Sequence, residues 1–220
     1  MTEYQNDSEL YNNYLAGDAG AYDQLMIRHG DSLTFYLYGY LHDWHTAEDL
    51  MIGAFARLMV KRPKIGAGCF KAYLFKTGRN LAYRYHTRKT RITEFSFDDY
   101  YEETEGREMV EEMLLDGERL QILSTCLDRI DPQLREALWL VYSEGLTYAE
   151  TASVMGVNAK RVDHLLGRGK KQMREELQQE GVMGAYSRSN ISSEYFKNYF
   201  EKNEDFLSKE RGIPLFFVSI

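Results

Sequence analysis

Lys71, Lys76, Arg79, Arg84 and Arg88 are interleaved with Tyr73, Tyr83 and Tyr85 in one stretch, Phe70 to Lys89. Lys and Arg can track a phosphate backbone while exposed rings stack on unpaired bases, each stack being worth roughly 1 to 3 kcal/mol. Such a face suits single-stranded nucleic acid. Helical spacing divides the stretch: Phe70, Tyr73, Leu74 and Leu81 belong to a core, and Asn80, Tyr83 and Tyr85 are the candidates for bases. A second group lies further along. Asn158, Lys160, Arg161, Asp163, His164, Gly167, Arg168 and Lys171 fall on the outer side of a helical pattern whose inner side is Val162, Leu166, Gly169, Met173 and Leu177. Arg or Lys can pair with guanine edges in a major groove, Asp163 can accept from a cytosine amine, and a helix start capped by Asn158 can meet a phosphate.

Other chemistries find no support. There is no Ser-His-Asp order, no phosphate-cradling glycine loop and no pair of carboxylates arguable as acid and base, so no catalytic residue and no cofactor is expected. His42, Asp43 and His45 lack a third His or Cys nearby, so no metal site is expected.

These residues must be positioned by helices. Asp18 can cap a helix carrying Ala21, Leu25 and Met26, and a second apolar stretch runs through Leu33, Tyr36, Leu37, Tyr40 and Leu41. Thr46, with Asp49 three residues on, predicts a capped start to a helix whose buried stripe is Leu50, Ala54, Phe55 and Leu58, ending before Pro63. The glycine-rich link Ile65-Gly66-Ala67-Gly68 then leads into the basic aromatic helix. Leu120, Leu123, Leu127 and Ile130 form one apolar face, and Asp131-Pro132 starts a helix with Leu134, Leu138 and Val141 inside. Thr147-Tyr148-Ala149-Glu150 is a capping box, and Ala152, Gly156, Val162 and Leu165 fall at the spacings a helix-turn-helix requires.

Charge divides the chain in the same way. Leu50 to Thr93 holds eleven Lys and Arg and no acid, whereas Glu94 to Glu118 holds eleven acids and the single base Arg107, within a net charge of -7. A second basic cluster follows: Lys160, Arg161, Arg168, Lys170, Lys171 and Arg174 against Asp163. Clustered bases concentrate polyanions, and an acidic run with few aliphatics reads as a flexible linker. The expected architecture is all-α: a first module at 1–91, a linker at 92–118, a second module at 119–180 and an extension at 181–220. In the extension, Tyr195, Phe196, Tyr199, Phe200, Phe206 and Leu207 are spaced like one more apolar helix face. Cys69 and Cys126 lie far apart and suggest no disulfide framework. No apolar run spans a bilayer, so a soluble cytoplasmic protein without membrane insertion is expected.

Leu41-His42-Asp43-Trp44-His45-Thr46-Ala47-Glu48-Asp49-Leu50, then Phe55, Phe70-Lys71-Ala72-Tyr73-Leu74 and Arg79-Asn80-Leu81-Ala82, resembles region two of bacterial extracytoplasmic-function (ECF) sigma factors. Leu127, Ile130, Pro132, Arg135-Glu136, Glu144-Gly145-Leu146-Thr147-Tyr148, Ala152, Gly156 and the basic run from Arg168 resemble region four. The resemblance implies that Asp49, Leu50, Phe55 and Leu58 dock on the clamp helices of core RNA polymerase. It also implies that the 70–91 helix with the loop before it binds and opens the minus-ten promoter element, and that the second module reads the minus-thirty-five element and binds the polymerase flap tip. An anti-sigma factor is a further possible partner. The chain departs from the family pattern at Ile52 and Gly53, where relatives usually carry Gln and Glu. It departs again at Arg161-Val162-Asp163-His164-Leu165, where they usually carry Thr-Val-Lys-Ser-Arg. Two other functions would use many of the same residues: a helix-turn-helix regulator acting without polymerase, and a polymerase-binding decoy that has lost promoter reading.

Overall fold

A computed structural model of the chain describes residues 6–93, 126–127 and 129–179, with side chains in the first of these ranges described to residue 88. The chain divides into two compact units, Met1–Arg107 and Glu108–Ile220. The described residues are helical, with no strand among them, as the periodicity predicts. The acidic linker and the extension lie outside the described residues. Among the described residues, no helix is long and apolar enough to cross a membrane.

The first unit contains α1 (Asp7–Leu15), α2 (Ala19–Leu41), α3 (Trp44–Lys61) and α4 (Phe70–Thr93). Helix α1 has a reciprocal capping box: Glu9 N donates to Asn6 Oδ1 at 2.9 Å, and Asn6 N donates to Glu9 Oε2 at 3.1 Å. Two otherwise unpaired backbone donors are thereby satisfied. Asp18 caps α2 as its sequence predicts, accepting from Ala21 N at 3.3 Å, and the two apolar stretches of α2 form one uninterrupted 23-residue helix. His42 closes α2 in a left-handed conformation, φ 51°, so the chain reverses within two residues. Helix α3 then begins at Trp44, two residues before the expected start, with Asp43 at its N-cap. The Thr46 hydroxyl donates to the Asp43 carboxylate instead of capping α3, and this bond holds the carboxyl below its ordinary range.

The core of this unit draws on every helix. Leu10, Leu25, Leu33, Leu37, Ala54, Phe55, Leu58, Phe70, Leu74 and Phe75 are all at most 1 % exposed. Burial of each such Leu or Phe contributes roughly 1.5 to 3 kcal/mol. Tyr22 meets Phe55 edge-on at 5.8 Å between ring centroids, and Tyr36 packs on Phe75 at 5.2 Å. Several sequence assignments shift: Phe75 joins the core, whereas Met26, Tyr40, Leu41, Leu50 and Tyr73 are half-buried.

Asp7 ties α1 to α2, with Oδ1 2.6 Å from Arg28 Nη1 and Oδ2 2.8 Å from His29 Nε2. Burial pushes the Asp7 carboxyl up, but the hydrogen bonds and charges of His29 and Arg28 outweigh it and hold the pKa at about 2.

In the second unit Cys126, Leu127 and Ile130 are buried, and α5 (Pro132–Leu138) starts from Asp131, whose carboxylate accepts from Gln133 N at 2.9 Å. A π-helical turn, Trp139–Ser143, continues α5. Its wider winding shifts the register, so Leu140 is fully buried and Val141, expected inside, is half-exposed. Trp139 Nε1 donates to the buried Glu144 at 2.9 Å, fixing the end of this turn. Helix α6 (Tyr148–Met155) opens on the predicted Thr147/Glu150 capping box and ends at Gly156, φ 70°, where both Gly156 N and Val157 N donate to Ala152 O. Helix α7 (Ala159–Gln179) follows, capped by Asn158, whose Oδ1 accepts from Arg161 N at 2.8 Å. A Cβ placed on Gly169 would meet Leu138 at 3.1 Å, so any larger residue there would have to push the Leu138 side chain back by a few tenths of an ångström.

Two stability effects are expected. Because the folded-state pKa of Asp7 lies below its unfolded value, its contribution is present above pH 4 and is lost as pH falls toward 2. Asp7→Asn should therefore cost about 2 kcal/mol at neutral pH. In urea unfolding, its deficit against wild type should shrink over that acid window, and a deficit independent of pH would argue against the latch. Gly156→Ala should cost about 1 to 2 kcal/mol by forcing a left-handed Cβ into the α6–α7 turn. A thermal transition unchanged by that substitution would contradict the φ of 70°.

Candidate nucleic-acid interface

Helix α4 separates its two tasks by face. Phe70, Leu74, Phe75, Leu81 and Ala82 are buried, which turns the opposite side outward. At 3.6 residues per turn, Lys76, Asn80 and Tyr83 share that outer side, flanked by Arg79 and Arg84. Lys76, Asn80, Tyr83, Arg84 and Arg88 are exposed and Arg79 is half-buried, with Tyr83 at 72 % exposure. An aromatic ring so uncovered contributes little to the core. Tyr85 lies on the core-facing side but emerges beyond the bundle at 37 % exposure. Lys71 departs from the group: it is half-buried on the core side, with Nζ 5.8 Å from the centre of the Phe75 ring. His86 Nε2 lies 2.8 Å from the Tyr40 carbonyl oxygen, bonding the outer half of α4 to the last turn of α2.

The loop before α4, residues 62–69, presents exposed Arg62 and Lys64. Sequence reasoning missed that α1 reaches this loop. Gly68 N donates to Ser8 Oγ at 2.8 Å, and the Tyr11 hydroxyl donates to the Pro63 carbonyl at 2.8 Å. The readable signal was Asn6-x-x-Glu9 before Leu10, Tyr11 and Tyr14, a capping box followed by apolar residues at helical spacing.

Helix α7 repeats the division. Val162, Leu165, Leu166, Gly169, Met173 and Leu177 are buried, and Asn158, Lys160, Arg161, Asp163, His164, Gly167, Arg168 and Lys171 are exposed. Lys160, His164, Arg168 and Lys171 fall on one outer face, with Arg161 and Asp163 at its two margins. The Lys171 ammonium lies 3.7 Å from Glu175 on that exposed surface. Leu165 is 1 % exposed, so the position where relatives carry Arg belongs here to the core.

The expected polymerase contacts on α3 divide. Asp49 is exposed and Leu50 half-buried, but Phe55 and Leu58 are each 1 % exposed within the bundle and cannot touch a partner directly. The outward apolar residues of α3 are Ile52, Met59 and Val60. Among the described residues, no group of three His, Cys, Asp or Glu is placed to hold a metal ion.

Comparison with known proteins places these faces in a family. The model for sigma-70 region 2 matches residues 25–92 and that for sigma-70 region 4 matches residues 120–173, together more than half of the chain. The ECF RNA polymerase sigma factor SigE of Mycolicibacterium smegmatis is 28% identical over 165 residues, 73% of this chain and 64% of that protein. The ECF RNA polymerase sigma factor BldN of Streptomyces coelicolor is 28% identical over 155 residues, 68% of this chain and 58% of that protein. The matches thus span about three fifths of the length of these curated relatives. Two solved structures share the fold, each with a TM-score of 0.57 at 20% identity. One is the sigma factor RpoE in complex with the anti-sigma factor NepR from Bartonella quintana, covering 70% of this chain and 95% of that one. The other is CnrH in complex with the cytosolic domain of CnrY, covering 79% of this chain and 98% of that one. With both regions matched in order, and with ECF sigma factors as its relatives, the chain belongs to the ECF branch of the sigma-70 family.

Proposed function

We propose that this chain directs core RNA polymerase to promoters and opens the minus-ten element, with polymerase performing the chemistry. The observation that carries the proposal is the outer face of α4: exposed Asn80 and Tyr83 among Lys76, Arg79 and Arg84, backed by a buried apolar side, with Arg88 exposed further along the helix. Backbone phosphates meet the Lys and Arg side chains, unpaired nucleobases stack on Tyr83 or bond to Asn80, and the loop 62–69 adds exposed Arg62 and Lys64 before the start of the helix. Opening then needs no hydrolysis, because captured bases offset the few kcal/mol lost as each leaves the stack.

Helix α7 reads the minus-thirty-five duplex. Lys160, Arg161, Asp163 and His164 stand in its first turns for base edges, and Arg168 and Lys171 meet phosphates further along. Asn158 serves by capping the helix. Polymerase docking on α3 uses Asp49, Leu50 and the exposed Ile52, while Phe55 and Leu58 hold the helix in place from inside; the second module meets the flap tip. An anti-sigma factor is a fitting regulator, since the structural relative RpoE is seen bound to one.

Two measurements test the assignment. Asn80→Ala and Tyr83→Ala should each lower open-complex formation about tenfold while leaving closed-complex affinity unchanged. Equal losses in both assays would reject a single-strand role. Since Tyr83 is 72 % exposed, its loss should change stability by less than about 0.5 kcal/mol. For the duplex face, Arg168→Ala should weaken promoter binding across sequences and reduce the salt slope of log affinity by about 1. An unchanged slope would remove Arg168 from the phosphate contacts.

A further inference from the structure

We infer that α1 is the brace that sets the loop 62–69, and that Ser8 and Tyr11 are positioning residues for base selection at the minus-ten element. This rests on the proposed function. Within the loop the backbone makes a turn bond, Cys69 N to Gly66 O at 3.1 Å, around the left-handed Gly68, and the Cys69 thiol lies 3.6 Å from the Ala67 carbonyl. Its long-range anchors come from α1, more than fifty residues earlier in sequence. Ser8 Oγ holds the Gly68 amide, and the Tyr11 hydroxyl, on a residue 2 % exposed, holds the Pro63 carbonyl. Tyr14 reaches the Met59 carbonyl at 3.3 Å, and its ring lies 5.4 Å from the Arg62 guanidinium.

A cavity of about 70 Å³ is lined by Ser8, Tyr11 and Asn12 of α1, by Ile65, Gly66 and Ala67 of the loop, and by Phe70. Where the cavity takes the place of side-chain packing, the hydrogen bonds from α1 hold the loop. Helix α1 is itself held by its capping box and by Asp7 on Arg28 and His29, and the His29 ring packs on Phe70, the first residue of α4, at 5.9 Å. The loop is thus held near both ends by α1 groups to which the proposed function assigns no contact with DNA.

The substitution Tyr11→Phe removes the hydroxyl and keeps the ring, which packs on Phe70 at 5.4 Å; Ser8→Ala removes the second anchor. Full-length protein is combined with core polymerase and offered templates in which both the minus-ten and the minus-thirty-five windows are randomised, and the transcripts are sequenced. The double variant should flatten the minus-ten base preference about fivefold and leave the minus-thirty-five preference, read by the other module, unchanged. An unaltered minus-ten preference overturns the inference, as does equal flattening of both windows, which is the signature of general loss of structure. Should the double variant fold poorly, Tyr11→Phe alone gives the same internal comparison. Absence of any minus-ten preference in the wild-type protein would defeat the proposed function itself, and that result is visible before any variant is made.

Discussion

Burial of Leu74, Phe75 and Leu81 on one side of α4 fixes where every charge on that helix must go. A helix offers two faces and cannot rotate to exchange them without pulling those side chains from the core, at roughly 1.5 to 3 kcal/mol each. The Lys, Arg and Tyr residues on the other side therefore stand in fixed register before any ligand arrives. This preorganisation lowers the ordering cost of binding. In the proposed role, stacking on Tyr83 can then be applied to opening a duplex instead of to arranging the protein.

The same constraint governs α7, but its support is narrower. Gly169 lets the helix lie close against Leu138 of α5, and the Thr147/Glu150 box and Gly156 set the angle at which it leaves α6. The π-helical turn at Trp139–Ser143 belongs to the same support. By adding a residue to the winding it buries Leu140, and Glu144 N donates to Trp139 O to close the turn. The Lys170 ammonium lies 5.0 Å from the ring of Tyr142 in that turn, so the irregular segment also contacts α7.

Periodicity made the two faces legible in the sequence because both helices are long and their inner positions are uniformly apolar. Val162, Leu166, Gly169, Met173 and Leu177 were readable as one stripe for that reason, as was the exposure of Tyr83. What escaped had competing signals. Thr46 and Asp49 offered a capping pair, yet Asp43, just after the left-handed His42, took the N-cap, three residues before Thr46. Lys71 sits in a run of bases, but its place on the turn directs it inward toward Phe75. Phe55 and Leu58 carry the family pattern through burial, not through contact. Val141 could not be placed because nothing in local composition announces a π-helical turn. The brace from α1 was missed because its two bonds join Ser8 to Gly68 and Tyr11 to Pro63, and long-range pairings leave no mark on spacing.

The departures on α7 bear on affinity and selectivity differently. Leu165 in place of Arg removes no outward charge in this fold, because the position is buried. Asp163 is different: it is exposed at the margin of the face proposed for duplex DNA, where it repels phosphates on any sequence and gains where a cytosine amine can donate to it. An acid there lowers binding everywhere and lowers it least at one base, which is selectivity obtained through repulsion of the alternatives. Arg168 and Lys171, proposed for phosphates on the same face, supply attraction that does not depend on sequence. On the proposed reading, α7 therefore discriminates by the contrast between charges of opposite sign on one exposed face, a face whose orientation the buried Leu165 helps to fix.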